Sequence, residues 1–157
     1  MTEPFEIHVA TRRDLPSWMQ LVELVRWGFP GLETEDALNG YVETVEKNMD
    51  RNSAICAKVG DRVVGVLLFS EKQSVLGCLA VHPDFRKMGI ATAMVERMLA
   101  QLPADRDVTV TTYREEDGKG LASRAFYRKL GFVEGELCHE FDYPEQRFVL
   151  RKEARKA

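Results

Sequence analysis

Apolar residues recur along this chain in two rhythms, one near 3.6 residues and one near 2, and the switches between them outline its elements. Close to the N-terminus, "FEIHVA" alternates and predicts a strand. Behind Asp14 and Pro16, a helix-opening pair, Leu15, Trp18, Met19, Val22 and Val25 fall at helical spacing. "WGFPGLET" interrupts with two glycines and a proline. Thr34 is then placed to cap a second helix carrying Leu38, Tyr41, Val42, Val45 and Met49 on one side.

The centre of the chain is β-rich. "SAICAKV" and "RVVGVLLFS" flank Gly60-Asp61, a turn pair that predicts a hairpin. "SVLGCLAVHP" supplies a further strand, stopped by Pro83. From Gly89 onward, Ile90, Met94, Val95, Met98, Leu99 and Leu102 mark an amphipathic helix. "DVTVTTY" is the next strand, followed by polar "REEDGKG" and a helix through "ASRAFYRKL" with Gly131 at its C-cap. "FVEGELC" and "QRFVLRK" complete the set as strands. The order βααβββαβαββ, with no repeat, linker or low-complexity stretch, predicts one mixed α/β (α+β) domain over residues 1–157, with 151–157 a solvated tail.

Composition narrows the function classes. The net charge of -3, with 22 basic against 25 acidic side chains, lacks the basic excess of a general nucleic-acid binder. No stretch approaches the roughly 20 apolar residues of a membrane span, and the mixed, acidic start is unlike a signal peptide. Cys56, Cys78 and Cys138 are odd in number and far apart, which suits free thiols in a reducing cytoplasm. No CxxC or HExxH pairing is present, so no metal is expected.

The most informative segment is "HPDFRKMGIATAM", where a strand turns into a helix. A helix start carries unpaired N–H groups and partial positive charge. Gly89 leaves that backbone bare, and Arg86 and Lys87 add charge, so the turn suits an anionic phosphate. It has neither the P-loop spacing nor GxGxxG. Taken alone it could equally be an ordinary charged loop.

Joined to its neighbours, "LAVHPDFRKMGIATAMVERML" resembles the acetyl-CoA-binding motif of the GNAT N-acetyltransferase superfamily, with Arg86, Gly89 and Ala91 at patterned positions. "SRAFYRKLGF" is similar to the family's second motif, matched by Tyr127, Gly131 and Phe132. The resemblance covers most of the chain and is weakest over residues 11–50. It implies a mixed central sheet splayed between strands 4 and 5, and acetyl-CoA as cosubstrate. The pyrophosphate would lie on the N–H groups of Lys87, Met88, Gly89, Ile90, Ala91 and Thr92 beside Arg86. The pantetheine amides would pair along Leu79, Ala80 and Val81 in the manner of an added strand, where a backbone N–H would also stabilise the oxyanion. Tyr127 would be the general acid for the leaving thiolate; by residue type alone it reads as a core tyrosine.

Many family members have an Asn seven residues before that Tyr, where this chain has Gly120; Ser123, Lys119 or no residue at all would take its place as the coenzyme contact, and Lys119 and Arg124 are either phosphate contacts or solvated surface charges. For the general base, Glu71 and Glu115 are the candidates, with His82, His139 or a water chain as alternatives. The apolar "VRWGFPGLE" loop, with Trp27, Phe29 and Pro30, either packs on the core or walls the acceptor site. Glu140, Asp142 and Glu145 either attract a cationic amine or form polar strand faces. The implied activity is direct acetyl transfer in a ternary complex to a primary amine, on a small molecule or a protein lysine. A non-catalytic acyl-CoA sensor of the same fold is the alternative. The protein is expected to be a cytoplasmic monomer or homodimer without nucleic-acid or membrane partners.

Overall fold

Alternating and helical apolar patterns each find a partner surface in the computed structural model, which describes residues 4–29 and 31–155. In chain order the elements are β1 (Glu6–Val9), α1 (Leu15–Val25), α2 (Glu35–Asp50), β2 (Ala54–Val59), β3 (Arg62–Ser70), β4 (Val75–Val81), α3 (Ile90–Gln101), β5 (Val108–Tyr113), α4 (Leu121–Lys129), β6 (Val133–Glu140) and β7 (Tyr143–Leu150). Short 3-10 turns lie between them. The seven strands form one mixed sheet in the order β1-β2-β3-β4-β5-β7-β6, so the expected element order and fold class are those observed.

Two compact units divide the chain. The first comprises the chain through Phe69 together with Cys78–Gln101. Within it β1, β2 and β3 are antiparallel, with Cys56 opposite Val66 and Ala57 opposite Gly65. Ala54, Cys56, Val66 and Leu68 share a core with Trp18, Leu21, Val22, Leu38, Val45 and Met49 of the two early helices. Trp18 Nε1 donates to the Tyr41 hydroxyl at 3.2 Å, which in turn lies 3.6 Å from Cys78 Sγ. Thr34 caps α2 by accepting from the Ala37 N–H at 3.0 Å. Where Ala57 and Gly65 face the start of α3, a Cβ on Gly65 would come within 2.9 Å of Ile90 Cγ2. A bare backbone on β3 is therefore what lets Ile90 seat α3.

The second unit comprises Ser70–Gly77 and the chain from Leu102. The first residues of β4 pair with β5 in parallel, Val75 with Thr109 and Leu76 with Val110. β5, β7 and β6 follow as antiparallel neighbours. Val108, Val110, Phe132, Phe148 and Leu150 are buried there. The hairpin joining β6 to β7 is tighter than the sequence suggests: Glu140 pairs with Tyr143, and Phe141 and Asp142 both take positive φ. The C-terminal segment also departs from a simple tail. Lys152, Glu153 and Ala154 are exposed, but the Arg155 guanidinium donates to the carbonyls of Leu102, Pro103 and Arg106 at 2.6–3.1 Å.

Candidate active site

The phosphate-suited turn is built by a change of backbone hand. After a 3-10 turn at Pro83–Phe85, Lys87 adopts φ +63 and Gly89 φ +85. Left-handed residues interleaved with right-handed ones turn successive N–H groups toward one side, the arrangement that forms anion-binding nests. The Gly89 carbonyl accepts from the Ala93 N–H at 3.0 Å, so α3 begins here, and its first-turn N–H groups have no intrahelical acceptor. A Cβ placed on Gly89 would meet nothing within 4 Å, so the backbone face is open. Arg86 and Lys87 are exposed beside it, while Ile90 is buried and anchors the turn. This donor set fits a pyrophosphate. Upstream, Leu79, Ala80 and Val81 are half-buried on β4, with Ala80 packed on the first unit's core.

Tyr127 lies on α4 in the second unit and is 5% exposed. Its ring packs edge-on against Phe132 at 5.5 Å and tilted against Phe148 at 6.3 Å. These contacts fix the ring, leaving the phenol as its polar end. Three residues earlier, Arg124 is neither a surface charge nor exposed. It donates to the Tyr113 carbonyl at 2.7 Å and to Gln146 Oε1 at 2.8 Å, pairs with Glu134 and lies over Phe148. It ties α4 to the sheet. Ser123 also spends its hydroxyl internally, 2.8 Å from Thr112 Oγ1. Lys119 is exposed.

Gly120 has a steric reason. Its φ of -92 suits any residue, but a Cβ would come 2.5 Å from Tyr113 Cβ. An Asn side chain has no room there in this chain.

Of the base candidates, Glu71 and Glu115 are both exposed, in the segments that follow β3 and β5. His82 is buried with both ring nitrogens engaged: Nδ1 accepts from the Asp84 N–H, and Nε2 lies 2.8 Å from Arg62 Nη2. His139 is exposed on β6. Trp27 is 71% exposed with Arg26 stacked on it at 4.8 Å, so it does not pack into the core. Phe29 is half-buried, and Pro30 lies outside the described residues.

The carboxyl that stands out is Glu145, on β7. It is 8% exposed, opposite Tyr113 on β5 and Cys138 on β6. Burial, and then the nearby Glu140, push its pKa up from 4.5 to about 7. Tyr143, two residues earlier, meets the Tyr113 ring edge-on at 5.8 Å and donates its hydroxyl to Asp117 at 2.5 Å. In the sequence Glu145 is one of three acidic residues, with Glu140 and Asp142. The signal that separates it is its alternation with Tyr143 on one strand face, a pattern that Pro144 obscures.

The thiols are poor nucleophiles. Burial pushes Cys56 to about 12 and Cys78 to about 11, and raises Cys138 as well. All three are free. Among the described residues no group of His, Cys, Asp and Glu is arranged to hold a metal ion, and no helix is long and apolar enough to cross a membrane.

Comparison with known proteins converges on one family. The acetyltransferase (GNAT) family profile matches residues 18–132. No curated protein matches the chain by sequence. Similar solved structures include a GNAT-family acetyltransferase from Bacillus cereus, 16% identical over 94% of this chain and 97% of that one, with a TM-score of 0.73. Ard1 from Thermoplasma volcanium is 17% identical over 92% and 95%, with a TM-score of 0.70. The PaiA N-acetyltransferase from Thermoplasma acidophilum, solved in complex with coenzyme A, is 14% identical over 92% and 98%, with a TM-score of 0.65. At these identities the likeness is one of fold.

Proposed function

The chain belongs to the acetyltransferase (GNAT) family, and from that premise we propose that it is an acetyl-CoA-dependent N-acetyltransferase acting on a primary amine by direct attack in a ternary complex. The observation that carries this reading is the turn into α3. There, left-handed Lys87 and Gly89 open a run of backbone donors next to Arg86. A helix start of this kind holds a pyrophosphate through N–H groups and dipole together. In this reading Leu79, Ala80 and Val81 bind the pantetheine amides by strand-like pairing, and the whole chain acts as one catalytic domain.

Tyr127 is the general acid of this proposal. Its hydroxyl gives a proton to the sulfur as the carbon–sulfur bond breaks, which makes the thiol the leaving group rather than the more basic thiolate. Direct transfer, rather than an acyl-enzyme, is supported by the thiols: a cysteine whose pKa stands near 11 or 12 is almost wholly protonated at neutral pH. Three unpaired cysteines suit a reducing compartment, consistent with a cytoplasmic enzyme.

Calorimetry with coenzyme A, together with thiol release from acetyl-CoA over a panel of amines, tests the proposal. The wild type should bind coenzyme A and release thiol with at least one amine. Tyr127→Phe should lower kcat by about 10²-fold or more, in the range of general acid–base catalysis, while coenzyme A affinity stays nearly unchanged. Tight binding with no release for any amine would establish the acyl-CoA sensor instead. Full activity in Tyr127→Phe would remove the tyrosine from the mechanism.

A further inference from the structure

Two strand neighbours of Glu145 define an unusual surface. By register, Tyr113 of β5, Tyr143 and Glu145 of β7, and Cys138 and Glu140 of β6 share one face of the sheet. A carboxylate on a side chain that is only 8% exposed ordinarily has a counter-ion or several hydrogen bonds. Among the described residues the Glu145 side chain has neither. Two of the nearby cations are committed elsewhere. Arg147, next on the same face, pairs with Glu136 at 2.6 Å. Arg114 donates its guanidinium to the backbone carbonyls of Glu145 and Cys138 at 3.1 and 3.0 Å. The other acids nearby make matters worse for a lone charge: Glu140 is a like charge, and Asp117 is taken by the Tyr143 hydroxyl. Among the described residues no cation on this face is paired with the Glu145 carboxylate: Lys119 is exposed and lies 5.9 Å over the Tyr143 ring. The Tyr113 and Tyr143 rings flanking the carboxylate themselves favour cations.

We propose that the Glu145 carboxylate is where the acceptor's ammonium group docks and gives up its proton. The inference rests on the N-acetyltransferase reading and adds to it a residue for the acceptor side. The ammonium transfers one proton to a Glu145 oxygen, freeing the nitrogen lone pair. The carbon–nitrogen bond to the acetyl carbonyl then forms and the carbon–sulfur bond breaks. Of the two protons the nitrogen sheds overall, one leaves through Glu145 to water. The other balances the proton that the sulfur receives from Tyr127. No oxidant or further reactant is needed. A primary ammonium fits better than a quaternary one, because only the former has a proton to give.

The test uses the full chain, acetyl-CoA and the fastest amine from a panel of aliphatic polyamines, free amino acids and a lysine-containing peptide. For the wild type, kcat/KM should rise with pH through a break near 7, as Glu145 ionises. Glu145→Gln should lose that break, and its kcat/KM at pH 7 should fall by about 10²-fold or more. Coenzyme A affinity of the variant, measured by calorimetry, should stay within about twofold of wild type, which separates a lost proton acceptor from a damaged fold. A fall of less than tenfold, a break that persists near pH 7 in the variant, or a parallel loss of coenzyme A binding overturns the assignment and leaves the N-acetyltransferase reading intact. A wild type that acetylates no amine at all overturns both.

Discussion

Gly120 illustrates how a single position can be forced by its neighbour. It ends the 3-10 turn at Gly118–Gly120 that Asp117 caps through the Lys119 N–H, and Tyr113 fills the volume a side chain would need. Because φ at this site is ordinary, the constraint is one of space and not of backbone. Gly120→Asn should therefore lower stability by about 1–3 kcal/mol, the usual cost of overpacking, seen as a lower urea midpoint with an unchanged slope. The sequence displays the absence of the family's Asn plainly, but nothing in one dimension reveals that Tyr113 occupies the space. Glu145 was obscured for a related reason. Burial and the lack of a counter-ion are properties of three adjacent strands, and residue type alone cannot report them.

Helices and central strands followed the apolar periodicity closely, because each buries one face and the pattern records which. Thr34 and Gly131 punctuate α2 and α4 with ordinary cap chemistry. The β6–β7 hairpin was harder to read. Pro144 signals a strand break, yet β5 ends at Tyr113 opposite Glu145, so Pro144 lies beyond the last β5 pair and its missing N–H is not required there. The turn itself uses Phe141 at φ +53 and Asp142 at φ +61, where two-residue hairpins favour Asn and Gly. Phe141 is 76% exposed, so little packing offsets the strain at its Cβ. Phe141→Asn should raise stability by about 1 kcal/mol, read as an increase in Tm. A drop in Tm would mean that the Phe141 ring contributes more than its exposure suggests.

For the molecule as a whole, folding couples to pH through opposing carboxyls. Burial pushes the Asp14 carboxyl up, but the Lys58 ammonium and the Thr11 N–H outweigh it and hold its pKa below the ordinary value. Asp14 thus contributes stability above its unfolded pKa that is lost on acidification. Glu145 acts in the other sense. With its folded pKa raised, it costs nothing well below 4.5, and the cost grows as pH rises from 4.5 to about 7 and then levels off. The stability of Glu145→Gln relative to wild type should accordingly be near zero at pH 4 and increasingly favourable up to a plateau above pH 7, measured by denaturant unfolding across that range. A buried charge that weakens the fold at neutral pH is intelligible where a cationic partner is to come from outside.

The three thiols bear on how such an enzyme is assayed. Coenzyme release is followed with reagents that react with free sulfhydryls, and the protein brings its own. Cys56 is wholly buried and Cys78 is hydrogen-bonded to Tyr41, both with thiols held far above neutral pH, whereas Cys138 is half-exposed on β6 across from Glu145. Background labelling in the native protein will therefore concentrate at one position. Blocking Cys138 beforehand with a bulky reagent would place an adduct beside the carboxylate, so a clean baseline is better obtained by exchanging that cysteine for serine than by alkylating it.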